Sequence, residues 1–119
     1  MRLIHYSDKP LRLGDLIARG QDEYGDMKPK GLWVSDEDAE CSWRWWCIEE
    51  DFNLDSLTHV HEVTLSNTAE ILYLKTPQEI RDFGIEFTIQ HGPMARVPFR
   101  NRMYLDWVRV IQRWHGIVI

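Results

Sequence analysis

The chain has 119 residues, 44% of them apolar and 28% charged, and a net charge of -5. That length fits one domain with its own core, and the ordinary apolar fraction excludes a disordered chain. No apolar run approaches the roughly 18 residues of a membrane span, and the acidic balance excludes a general affinity for nucleic acid.

The opening residues, Met1-Arg2-Leu3-Ile4-His5-Tyr6, carry neither the apolar stretch nor the small-residue cleavage site of a secretory leader. Cys41 and Cys47 have the spacing of neither a redox pair nor half a zinc site. The expectation is free thiols in a cytoplasmic protein.

In chain order, Arg2–Tyr6 predicts a short first strand. Pro10 opens a short helix with Leu13, Leu16 and Ile17 on one face and Gly20 as its stop. Residues 21–30 are polar, contain Gly25 and Pro29, and predict a surface loop. Gly31-Leu32-Trp33-Val34-Ser35 predicts a second strand. Ser35 then offers an N-cap, with Asp38 three residues on and acids at 36, 37, 38 and 40 suited to the positive end of a helix. Ala39, Trp43, Trp46 and Cys47 form the apolar stripe of that helix.

His59 to Leu65 alternates and predicts a strand, as does Glu70–Lys75. Thr76-Pro77-Gln78-Glu79 combines an N-cap, a first-turn proline and an N3 glutamate, the chemistry of a helix start. That helix carries Ile80 and Phe83 and is expected to stop at Gly84. Residues 85–103 show no regular period and are broken by Gly92-Pro93 and Pro98. Asp106 caps a last helix with Trp107, Val110, Ile111 and Trp114 on one face. Gly116 ends it, and Ile117-Val118-Ile119 predicts a final strand. The strands do not alternate regularly with helices. The expected fold is therefore α+β, a single domain over residues 1–119 with a mixed or antiparallel sheet and packed helices.

Charge is divided unevenly. Residues 1–56 hold 13 acids and 7 bases, a balance of -6, and residues 57–119 hold 6 acids and 7 bases, a balance of +1. Arg96, Arg100, Arg102, Arg109 and Arg113 face only Asp106 in their stretch and suit either a solvated surface or a phosphate-bearing ligand. Six tryptophans exceed what the core of so short a chain readily holds, so some are expected on a stacking surface. His59 and His61 share a strand face, the start of a metal site if His91 or Glu62 approached, but no third ligand stands near in sequence and no metal is expected. Nucleophile elbows and glycine-rich phosphate loops are absent.

Two short motifs carry the remaining chemistry. His5-Tyr6-Ser7 ends the first strand, and Lys28-Pro29-Lys30-Gly31-Leu32-Trp33-Val34-Ser35 follows the polar loop. With the tryptophan-rich helix and the closing Asp106-Trp107 and Trp114-His115-Gly116-Ile117, they resemble small bacterial and phage proteins of the ADP-ribosyltransferase superfamily, the type whose first motif begins with histidine. The resemblance implies an ADP-ribosyltransferase-like fold that binds NAD, as substrate, through His5, Tyr6, Ser7, Gly31, Leu32, Trp33 and Ser35. It also implies transfer of ADP-ribose to a protein or nucleic-acid acceptor. In such a site a histidine bonds the ribose hydroxyls, a glycine permits close backbone approach, Trp33 or Tyr6 stacks on nicotinamide, and an arginine meets the pyrophosphate.

The superfamily's late-strand glutamate, which steadies the cationic ribose, is replaced here by Val118. Glu86 and Asp106 are the remaining late acids and hence the candidate catalytic residues. NAD hydrolysis is a variant on the same fold. A second reading is a non-catalytic inhibitor of the phage type that covers a partner's basic surface with Asp22, Glu23, Asp26, Glu49, Glu50 and Asp51.

Overall fold

The computed structural model describes residues 1–16, 20–21, 28–90 and 104–119. Ile17, the acids Asp22, Glu23 and Asp26, His91, the breaks at Gly92-Pro93 and Pro98, and the bases Arg96, Arg100 and Arg102 lie outside the described residues. The fold is α+β, with antiparallel and parallel strand pairs. The chain divides into two compact units, one of Met1–Ala18 and Gly31–Leu65, the other of Arg19–Lys30 and Ser66–Ile119.

The first unit is built on strand β1 (Leu3–Ser7), which lies between β2 (Ser35–Asp36) and β3 (His59–Val63) in an antiparallel sheet. Leu3 pairs with Val63, His5 with His61 and Ser7 with His59. On the other edge Leu3 pairs with Asp36 and Ile4 with Ser35. Two single-turn 3-10 helices, Leu13–Leu16 and Leu54–Leu57, and helix α1 (Trp43–Glu49) complete the unit. Among its described residues, Leu3, Ile4 and Cys47 are the buried apolar side chains, and Ser42 is buried as well.

The N-cap of helix α1 lies seven residues after the one expected at Ser35. The cap is Ser42, whose Oγ accepts the Trp45 amide at 3.2 Å. Ser35 is held in the ladder on β1 instead, where its extended backbone cannot turn into a helix. Its hydroxyl nonetheless accepts the amide of Trp43, the first helical residue, at 2.9 Å. Two serines thus satisfy two of the donors that every helix start leaves open. Of the acids expected in the first turn of α1, Asp36 ends β2 and Glu37, Asp38 and Glu40 fall in turns ahead of the helix; the Asp36 carboxylate accepts the amides of Arg2 and Asp38.

The second unit has a parallel pair, β4 (Ile71–Tyr73) with β5 (Gly116–Val118), joined through helices α2 (Pro77–Glu86) and α3 (Trp107–Ile111). Leu74, Phe83, Phe87, Trp107 and Val110 form its buried cluster, with Leu72, Leu105, Trp114 and Ile117 packed against it. Helices therefore pack on the strand pair, as expected.

Helix α2 opens on a complete capping box. Thr76 Oγ1 accepts the Glu79 amide, and Glu79 Oε2 accepts that of Thr76, both at 3.1 Å. It does not stop at Gly84. Phe83 and Phe87, one turn apart, both bury, and their rings meet at 4.9 Å. That gain outweighs the roughly 1 kcal/mol that a helical glycine costs relative to alanine, so the helix continues to Glu86.

Candidate functional site

The pleat of β1 sends His5 and Ser7 to one face and Tyr6 to the other. On the first face His5 Nδ1 lies 2.7 Å from the Trp33 carbonyl oxygen. A carbonyl only accepts, so this nitrogen carries the proton, and in the neutral ring Nε2 is left as an acceptor. The bond ties the His-Tyr-Ser motif to the Gly-Leu-Trp motif within the first unit.

Across the ladder His61 stands beside His5, with ring centroids 5.9 Å apart. Its Nε2 accepts the Leu11 amide at 3.1 Å. An amide only donates, so the proton of the neutral His61 ring sits on Nδ1, which is buried without a hydrogen-bond partner among the described residues. The two imidazoles pin the turn after β1 and the segment before β2 to the same face of the sheet. From the sequence His61 enters only a possible metal pair with His59, outside the nucleotide site. Only the cross-strand register, which pairs residue 5 with residue 61, brings it there. Among the described residues no group of three metal-ligating side chains is found.

Gly31 to Val34 join no ladder among the described residues, and Leu32, Trp33 and Val34 are exposed, Trp33 by 51%. The strand expected over these residues is reduced to Ser35–Asp36. Gly31 has a φ of +157°, and no neighbouring atom of the described residues lies within 4 Å of the place a Cβ would take. Ser7 Oγ donates to the Lys9 carbonyl and shapes the turn beyond β1.

Tyr6 occupies the opposite face. Its hydroxyl is pushed up to about 12 by burial and then by the hydrogen bond and charge of Glu37. The structure thus brings His5 to the Trp33 backbone, leaves Ser7 on the same face of β1, and puts Tyr6 on the other.

The two candidate acids belong to the second unit. Asp106, 2% exposed, caps α3 by accepting the Arg109 amide at 3.3 Å. Glu86, at the end of α2, pairs with Arg113 at 2.9 Å. Of the basic stretch, Arg109 donates to the Glu86 carbonyl at 3.2 Å, and Arg113 stacks over Trp114 with 4.4 Å from guanidinium carbon to ring centroid. Val118 pairs with Tyr73 in the β4–β5 ladder.

No helix among the described residues is long and apolar enough to cross a membrane. Compared with known proteins, the chain matches no family model, no curated protein and no solved structure.

Proposed function

We propose that this chain is an ADP-ribosyltransferase-like protein that binds NAD or a related nucleotide on the His5 face of its first unit. The supporting observation is the bond from His5 Nδ1 to the Trp33 carbonyl. It joins two motifs far apart in sequence, each of which the resemblance assigns to one nucleotide.

In this reading His5 Nε2 accepts from a ribose hydroxyl, while the Trp33 carbonyl holds the ring in that tautomer. The exposed Trp33 indole stacks on nicotinamide. Gly31 and Leu32 let the backbone approach the ligand, and Ser7 and Ser35 bond its polar edge. Ser35 accepts from Trp43 and keeps its own hydroxyl proton to donate. Tyr6 supports the strand from behind. If the bound nucleotide turns over, the nicotinamide–ribose bond breaks, nicotinamide leaves and ADP-ribose passes to a protein or nucleic-acid acceptor; Glu86 and Asp106, the candidate acids, belong to the second unit.

Calorimetric titration with NAD tests the binding. The expected result is saturable heat and a raised melting temperature, with affinity at least about tenfold weaker in a folded His5→Ala variant, as for a lost hydrogen bond to a polar ligand. No heat and no shift in melting temperature at millimolar NAD overturns the reading. Released nicotinamide that persists in both Glu86→Gln and Asp106→Asn removes these two acids from the chemistry.

A further inference from the structure

Helix α1 breaks a rule of helix burial. Five of its seven residues are apolar, with only Arg44 and Glu49 charged, and a helix so apolar normally buries most of its side chains. Here the helix presents Trp43, Trp45, Trp46 and Ile48 to solvent, each 40–47% exposed, with Cys47 as its one buried side chain. Phe52, 49% exposed, extends the surface beyond the helix.

The rings are ordered among themselves. Trp43 and Trp46 stack with centroids 5.4 Å apart and planes 18° from parallel. Phe52 meets both edge-on, at 6.4 and 5.3 Å. This organised aromatic platform sits in a strongly acidic segment. Residues 31–65 contain nine acids and a single lysine or arginine, Arg44. Glu49, Glu50 and Asp51 lie within five residues of Trp46, are exposed, and make no ion pair among the described residues.

Charge selects among the occupants of such a face. A second copy would set acid against acid, and nucleic acid or an anionic membrane would be repelled. A cation suits both parts of the surface. A guanidinium is flat and weakly hydrated, stacks on indole faces, and forms paired bonds with carboxylates, which an ammonium does less well.

We propose that the α1 face is a docking surface for an arginine-rich segment of a partner protein. Arginine side chains lie on the Trp43–Trp46 stack and reach Glu49, Glu50 and Asp51, while the partner's apolar residues cover Ile48 and Phe52. The proposal is independent of nucleotide binding and holds equally for a chain that binds none.

The test titrates the full chain with a synthetic peptide alternating arginine and leucine, read by tryptophan emission and calorimetry. Saturable binding is expected, weakening about fivefold or more as salt rises from about 0.05 to about 0.5 M. The same peptide with lysine for arginine is expected to bind about threefold or more weakly, and that with glutamate not at all. Trp46→Ala should weaken binding about tenfold. Because that change also removes ring packing, Glu49→Gln with Glu50→Gln, at exposed positions, provides a second measure, with an expected loss of about threefold or more. Equal binding of the glutamate peptide, equal affinity of the double glutamine variant, or a tryptophan response to phosphatidylcholine vesicles but not to the arginine peptide would each overturn the proposal.

Discussion

His5 Nδ1 lies 2.7 Å from the carbonyl oxygen of Trp33, although 28 positions separate the two residues. Beside it, His61 accepts the amide of Leu11, 50 positions away. The two bonds differ in burial, the first exposed and the second partly buried. Water replaces a lost partner at an exposed carbonyl more readily than at a covered amide. His5→Ala should therefore cost no more than about 0.5–1.5 kcal/mol of stability, the net worth of one hydrogen bond. His61→Ala should cost more, about 1–3 kcal/mol, because it strands the Leu11 donor. Urea titration of both variants checks the order, and equal losses would show that the His61 bond carries no burial penalty.

Tyr6 yields a pH dependence of definite sign. Its hydroxyl is raised from 10.0 to about 12 in the folded chain, by burial first and by Glu37 second. Between those values the native state keeps a proton that the unfolded chain has lost, so stability falls as pH rises through this window and is fully present below pH 10. Absorbance titration of phenolate should show Tyr6 ionising late. Tyr6→Phe should remove that late step and flatten the stability loss between about pH 10 and 12. A late step that survives the substitution assigns it to another tyrosine.

How much of this was legible beforehand depended on the range of the chemistry. The start of α2 was readable because Thr76, Pro77 and Glu79 supply every capping group within four residues. The cap of α3 at Asp106 was readable for the same reason. The start of α1 was misplaced because Ser35 answers to β1, more than thirty residues upstream, before it answers to the helix. Gly84 looked like a stop because a local rule says so, whereas the burial of Phe87 overrides it from the next turn. The neighbourhood of His5 was readable in part. The motifs named His5 and Trp33, but His61 enters through strand register, which no local pattern encodes.

The two cysteines should separate cleanly by reactivity. Cys41 is exposed and Cys47 is 0% exposed, with burial holding its thiol above the ordinary range. The thiolate is the reactive form, so Cys47 is protected both by access and by protonation. Ellman's reagent should titrate one thiol rapidly in the native chain and two in denaturant. Cys41→Ser should abolish the rapid phase. A rapid phase that persists in this variant would mean that α1 opens from the first unit on the timescale of labelling.

The paired serines at the start of α1 permit a sharper test of how that helix is held. Ser42 is a local cap, bonding the Trp45 amide from within the turn. Ser35 reaches the Trp43 amide from the edge of the sheet. If each meets a separate open donor, Ser42→Ala should cost about 1 kcal/mol, the usual worth of a serine cap. Ser35→Ala should cost about 0.5–1.5 kcal/mol, as an ordinary hydrogen bond. The double variant then decides between two pictures. Independent bonds give additive losses, within about 0.5 kcal/mol. If Ser35 instead fixes where the helix begins, its loss lets the first turn fray, the Ser42 cap loses its target, and the double variant falls short of the sum. The buried position of Ser42, 7% exposed, favours additivity, because packing holds the cap in place whether or not Ser35 is present. Losses that add are thus the expected result, measured by thermal melts of the four chains, and a sub-additive pair would make the sheet edge the organiser of the helix.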